Sequence, residues 1–229
     1  MNRIYAIGDI HGRLDLLEQA IDAIRRDVED RGPAALTITL GDYIDRGPDS
    51  FGVIDRLAAN PFPTPYVALK GNHEATLERF LVQPGIAEDW RRFGCIEMLH
   101  SYGVPVADMM RGRNYESAAK ALSEALPATH RDFLDNLRTS HAAGRYFFCH
   151  AGVRPGVALA RQKDDDLMWI RDEFLSSDED FGSVVVHGHT PVSEPDVKTN
   201  RINIDTGAFA TGLLTCIALE GDGHRFLKM

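Results

Sequence analysis

The stretch Ala35-Leu36-Thr37-Ile38-Thr39-Leu40-Gly41-Asp42-Tyr43-Ile44-Asp45-Arg46-Gly47 decides how the rest of the chain is read. Its first six residues form an apolar, β-branched run, the pattern of a buried parallel strand, and Gly41 marks where that strand stops. Two carboxylates and an arginine follow between glycines, in the loop at the strand's carboxyl end. Carboxylates at such an end suit a hard or borderline metal ion, and an arginine suits a phosphate.

Four other strand ends repeat this chemistry. Ile4–Ile7 is a short apolar strand that delivers Gly8-Asp9-Ile10-His11-Gly12. Pro65–Leu69 delivers Gly71-Asn72-His73-Glu74. Arg145–Cys149 delivers His150-Ala151-Gly152, and Ser183–Val186 delivers His187-Gly188-His189-Thr190. Between the first three strands lie helical patterns. Leu14, Leu17, Ile21 and Ile24 share one face of a helix over 13–30, and Val53, Ile54 and Leu57 share one on a helix opened by Pro48. This β-loop-α alternation predicts an α/β fold with a parallel sheet, right-handed crossovers and ligands gathered beyond the strands' carboxyl ends. From about 84 to 144 no strand pattern is visible. We expect there a helical excursion with one helix through Trp90, Phe93, Ile96 and Leu99, a second over 115–122, and a third begun by Pro127. The tail Leu213–Leu219, Gly221-Asp222-Gly223 and His224–Leu227 predicts a hairpin.

The chain has 229 residues, 44% of them hydrophobic, enough for one sizeable domain spanning 1–229. The formal net charge of −9 argues against nucleic acid as a partner. Three scattered cysteines, Cys95, Cys149 and Cys216, offer no disulfide framework and fit a reducing compartment. The first residues lack the apolar core of a signal peptide, and no apolar run approaches the length of a membrane span, so a cytoplasmic protein without membrane partners is expected.

Asp9, His11, Asp42, Asn72, His150 and His189 supply carboxylate, imidazole and amide ligands and no thiolate. That set suits Mn²⁺, Fe or Zn²⁺ in open sites. Six ligands from five loops are too many for one open site and about right for two ions sharing Asp42, an arrangement that activates water for attack on phosphorus.

The blocks Gly8-Asp9-Ile10-His11-Gly12, Gly41–Gly47 and Gly71-Asn72-His73-Glu74 resemble the three signature blocks of the phosphoprotein phosphatases. These are the metal-dependent Ser/Thr protein phosphatases of the calcineurin-like metallophosphoesterase superfamily. His150-Ala151-Gly152 and His187-Gly188-His189-Thr190 resemble the remaining histidine blocks, and the short length is most like the bacterial and phage branch. The resemblance implies a layered β-sheet core flanked by helices and two divalent ions, Mn²⁺ foremost. Asp9 and His11 would hold the first ion, Asp42 would bridge, and Asn72, His150 and His189 would hold the second. A metal-bridging hydroxide would attack a phosphoserine or phosphothreonine, or a phosphotyrosine, in a phosphoprotein substrate. His73 would protonate the leaving group, Asp45 would orient His73, and Arg46 with Arg171 would grip the phosphate.

The same fold serves dinucleoside polyphosphate hydrolases. The symmetrical tetraphosphatases of bacteria, however, usually carry Ser where this chain has Asp45 and tend to carry Asp where it has Glu74. A binding module that has lost turnover is disfavoured because every ligand and the acid are present. His187 is left open between touching substrate, supporting the ligands and a structural role. Cys149 alternates away from His150 and reads as core. His100, His130, His141 and His224 read as surface or structural residues, Asp164–Asp166 as a solvated turn, and Trp90 and Phe93 as helix packing. Asp205 after a strand is open between support of the site and a plain turn.

Overall fold

The structure, a computed structural model, describes residues 3–229. Among these residues, ten strands form two five-stranded mixed sheets. In the first, β1 (Arg3–Ile7), β2 (Ala35–Thr39) and β3 (Tyr66–Ala68) run parallel, and β9 (Cys216–Glu220) and β10 (Gly223–Phe226) add an antiparallel hairpin in the order β10-β9-β1-β2-β3. In the second, β5 (Tyr146–Cys149), β6 (Val184–His187) and β8 (Arg201–Asn203) run parallel. Strands β4 (Ser140–Ala143) and β7 (Asp196–Val197) close the edges antiparallel, in the order β4-β5-β6-β8-β7.

The period-2 alternation of strand side chains explains the layering. On β1, Ile4 and Ala6 point between the sheets, where they meet Ile38, Tyr146, Phe148, Val186, Ile202 and Ile217. Tyr5 and Ile7 point the other way, into a cluster built on α1 (Leu14–Arg31) and α2 (Ser50–Ala58). On β5, Phe147 and Cys149 face outward against Leu167, Ile170 and Phe174. These belong to the segment of α9 (Asp164–Trp169) and α10 (Asp172–Leu175). The result is helix, sheet, sheet, helix, the layered core expected, with Cys149 in an apolar cluster rather than at the site.

Four details differ from the sequence reading. The excursion over 84–144 is helical, but it ends in strand β4, paired antiparallel to β5 across Gly144. Ser140-His141-Ala142-Ala143 has no β-branched residue, and its partner, not its propensity, makes it a strand. The single helix expected through Trp90 and Leu99 is broken into α4 (Ala87–Trp90), a 3₁₀ turn (Arg91–Phe93) and α5 (Cys95–Ser101). Gly94, at φ 95°, is the break. Helix α2 starts at Ser50 rather than at Pro48, because the Asp49 carboxylate caps it by accepting the Gly52 N–H at 2.7 Å. Asp164–Asp166 form the first turn of α9, where carboxylates complement the helix dipole, instead of a solvated turn. The helices expected near Tyr115 and Pro127 are α7 (Tyr115–Ala125) and α8 (Ala128–Asp135). No helix among the described residues is long and apolar enough to cross a membrane.

Phe148 is fully buried between the sheets. Phe148→Ala should therefore cost about 3–5 kcal/mol in urea unfolding, and a loss under about 1 kcal/mol would contradict the sheet-on-sheet packing.

Candidate metal centre

The loops that follow β1, β2, β3, β5 and β6 converge, and they bring Asp9, His11, Asp42, Asn72, His150 and His189 into one buried cluster. The loop after β1 is locked onto the loop after β2: Ile10 and His11 donate their N–H groups to the Asp42 carbonyl (3.1 and 2.8 Å), and Gly12 donates to the Tyr43 carbonyl. Asn72 opens α3 (Asn72–Val82), so the helix start and the strand end share one turn.

Asp42 sits in the middle with its two oxygens facing different ways. Oδ2 lies 3.4 Å from His11 Nε2. Oδ1 lies 3.4 Å from His150 Nε2, which is itself 2.9 Å from Asn72 Oδ1 and 3.1 Å from His189 Nδ1. These are the edge lengths of a polygon of ligand atoms around a cation. Among the described residues, two candidate ion sites emerge, His11–Asp42–His73 and Asp42–His150–His189, with Asp42 in both.

The ring orientations support the same assignment. His11 Nδ1 is 2.8 Å from the Ile44 carbonyl and His150 Nδ1 is 2.9 Å from the Leu40 carbonyl. A carbonyl only accepts, so each Nδ1 carries the hydrogen and each Nε2 faces the cluster, with a lone pair for a cation whenever the ring is neutral. Burial pushes His11 down to about 3 and His189 down to about 2, which keeps both rings neutral. His150 behaves differently. Burial would lower it too, but Asp42 and Asp9 outweigh burial and raise it to about 10. Burial and the neighbouring Asp205 push Asp9 well above the usual carboxylate range. Asp9 Oδ1 and His189 Nε2 are buried without a partner. Close carboxylates, an orphaned carboxylate oxygen and an imidazole that takes up a proton are together what a missing positive charge would look like. Carboxylate, imidazole and amide oxygen fit divalent cations of the Mn²⁺, Fe and Zn²⁺ class.

Asp45 and His73 pair beside this cluster. His73 Nδ1 lies 2.5 Å from Asp45 Oδ2, and its Nε2 lies 3.8 Å from Asp42 Oδ2 and 3.4 Å from Arg46 Nη2. Burial lowers His73, and Asp42 and Asp45 more than offset it, so its pKa is raised. Proximity alone thus groups His73 with His11 and Asp42, whereas its Nδ1 is taken up by Asp45 and leaves Nε2 facing the cluster. Arg46 lies against the ring of Phe209, whose centroid is 4.5 Å from its guanidinium carbon. Arg171 is exposed and donates to Thr190 Oγ1 at 3.1 Å, next to His189. It lines an open groove of about 670 Å³ with Arg79, Trp169 and Asp172.

His187 requires a correction. It is wholly buried on β6, with its ring 5.0 Å from that of Phe174, so substrate does not reach it. Asp205 is buried close to Asp9, and its Oδ1 accepts the Gly207 N–H at 2.9 Å. Three contributors were missed in the sequence. The Glu74 carboxylate accepts the N–H groups of Asp42, Tyr43 and Gly71 at 2.8–2.9 Å. The Trp90 indole N–H donates to Asp45 Oδ2 at 2.6 Å. Phe209 covers Arg46. Glu74 alone lay inside a recognisable block.

The profile of the calcineurin-like phosphoesterases matches residues 2–210. The chain belongs to the calcineurin-like phosphoesterase family. Among curated relatives, this phosphoesterase is 27% identical to Serine/threonine-protein phosphatase 2 of Salmonella typhimurium, over 95% of this chain and 93% of that one. It is 26% identical to the asymmetrical Bis(5'-nucleosyl)-tetraphosphatase PrpE of Anoxybacillus flavithermus, over 92% and 88%. A solved structure provisionally assigned as a diadenosine tetraphosphatase superimposes with a TM-score of 0.66 at 20% identity, covering 99% of this chain and 93% of that one, a likeness of fold. Protein phosphatases and nucleotide hydrolases stand equally near, so overall similarity does not choose the substrate of this phosphoesterase.

Two substitutions test the centre. Glu74→Gln must turn an amide NH₂ against at least one backbone N–H, whichever way the amide lies. It should weaken metal affinity about 10–100-fold, read as metal retained after dialysis, with the fold intact by circular dichroism. His189→Ala should lose metal and His187→Ala should retain it; the reverse pattern would exchange their roles.

Proposed function

We propose that this chain hydrolyses phosphomonoesters, with phosphoserine and phosphothreonine in proteins as its main substrates and phosphotyrosine as a further one. The observation that carries this reading is the buried Asp45–His73 pair directed at the cluster. A phosphoserine ester expels an alkoxide, a strong base that departs readily only when protonated. A dinucleoside polyphosphate expels a phosphate anion, which is stable without that proton. An aimed acid therefore has most to contribute to ester cleavage.

Asp9, His11 and Asp42 would hold one divalent cation, and Asp42, Asn72, His150 and His189 a second, with Mn²⁺ the first candidate and Fe or Zn²⁺ the alternatives. Bound ions of this kind supply Lewis acidity at the phosphoryl group and lower the pKa of water. Arg46, steadied by Phe209, neutralises phosphoryl oxygens, and Arg171 at the rim completes the grip. His73 Nε2 gives its proton to the departing oxygen while Asp45 stabilises the ring. The three cysteines are free and buried, in keeping with a cytoplasmic setting.

Hydrolysis of dinucleoside polyphosphates is the second reading, favoured by the PrpE relatives. Side-by-side turnover of a phosphoserine peptide and diadenosine tetraphosphate decides between them: the peptide should have the higher kcat/KM, and a strong preference for the nucleotide would overturn the first reading. His73→Ala should slow the phosphoserine peptide about 10²–10⁴-fold, while an aryl phosphate with a strongly acidic phenol loses much less and metal content is unchanged. Equal losses on both esters, or loss of metal, would remove His73 from the role of acid.

A further inference from the structure

Asp45 Oδ2 accepts two short hydrogen bonds, from His73 Nδ1 at 2.5 Å and from Trp90 Nε1 at 2.6 Å, while Asp45 Oδ1 has no partner. Trp90 does not belong to the strand-end loops. It lies on α4, in the helical excursion, and is only 2% exposed, with its ring 5.1 Å from that of Phe80 on α3. The same arm reaches the site a second time. The Gly94 carbonyl accepts the Arg46 N–H at 3.1 Å, and a Cβ on Gly94 would lie 2.5 Å from that nitrogen. Asp45 and Arg46 are consecutive residues at φ 70° and 66°, a backbone that does not hold itself.

We propose that Trp90 is a positioning residue for the acid: its indole N–H fixes the Asp45 carboxylate so that Oδ2 faces His73, and the excursion thereby takes part in catalysis. A carboxylate held only by His73 can turn about its Cβ–Cγ bond and present the unpartnered Oδ1, which spreads the ring over several orientations. A donor on the opposite flank of Oδ2 removes that freedom. The indole suits the task because it is rigid, donates only, and is anchored by its own packing. The proposal rests on His73 acting as the acid.

The test is Trp90→Phe in the full chain loaded with Mn²⁺, assayed on a phosphoserine peptide and on an aryl phosphate with a strongly acidic phenol. The expected result is a fall of about tenfold in kcat on the peptide, with KM and metal content unchanged and the aryl ester far less affected. Phe80→Leu is the packing control: it loosens the seat of the indole but keeps the N–H, and should lower thermal stability without moving the ratio of the two rates. Equal losses on both esters in Trp90→Phe, or the same shift in Phe80→Leu, would overturn the proposal. If His73→Ala itself shows no leaving-group dependence, the acid reading fails and takes this one with it. If His73→Ala shows it and Trp90→Phe does not, this proposal alone fails.

Discussion

A single buried carboxylate holds together the two loops on which everything else is built. Glu74 Oε2 accepts the N–H groups of Asp42 and Gly71, and Oε1 accepts that of Tyr43, with Ile44 N at 3.4 Å. The strand ends of β2 and β3 are thereby gathered onto one side chain at the start of α3. Burying an ionised carboxylate is costly unless its oxygens are well satisfied. Burial and Asp42 push Glu74 up to about 7, and the backbone donors work against that rise. The same contacts hold Asp42 at φ 52° with its oxygens spread between His11 and His150.

That constraint is needed because the site is built from backbone that most residues avoid. Seven non-glycine residues among those described have positive φ, and five of them are His11, Asp42, Asp45, Arg46 and His189. Each costs on the order of 1–3 kcal/mol and persists only because its surroundings offset that cost. Here the surroundings are specific hydrogen bonds: Ile10 and His11 to the Asp42 carbonyl, Asp45 N–H to Ser50 Oγ, Arg46 N–H to Gly94, and His189 N–H to Asp9 Oδ2. The ligands face inward because neighbouring loops over-determine one another, while the apolar layer between the sheets keeps the strand ends at fixed spacing.

This explains what could be read in advance. Strands β1, β2, β5 and β6 and the five polar loops were legible because their signals are local: a β-branched or aromatic run, a nearby glycine, and residues of metal-ligating type within a few positions of it. Alternation placed Cys149 in the core for the same reason. Strand β4 was not legible, since Ser140–Ala143 is a strand only through its partner β5. Trp90 looked like helix packing, and it does pack on Phe80; its indole bond joins positions 45 residues apart, and no local pattern announces such a bond. His187 carries the residue type of a ligand, but strand alternation and the Phe174 ring turn it from the site.

The metal ligands cannot choose between a protein phosphoester and a dinucleoside polyphosphate, because both present a phosphoryl group to the same cluster. The substrates differ on the far side of the phosphorus, in how badly the leaving oxygen needs a proton. On the proposed reading, selection acts through the groups on that side: His73, Asp45 behind it, Arg46 and the arm that carries Trp90 and Gly94. Those groups use a fully buried carboxylate, two short bonds on one oxygen and consecutive left-handed residues. A site that only needed to bind ions would have no use for that expense. Its presence favours a leaving group that is a poor one, and an alkoxide fits that description better than a nucleotide phosphate.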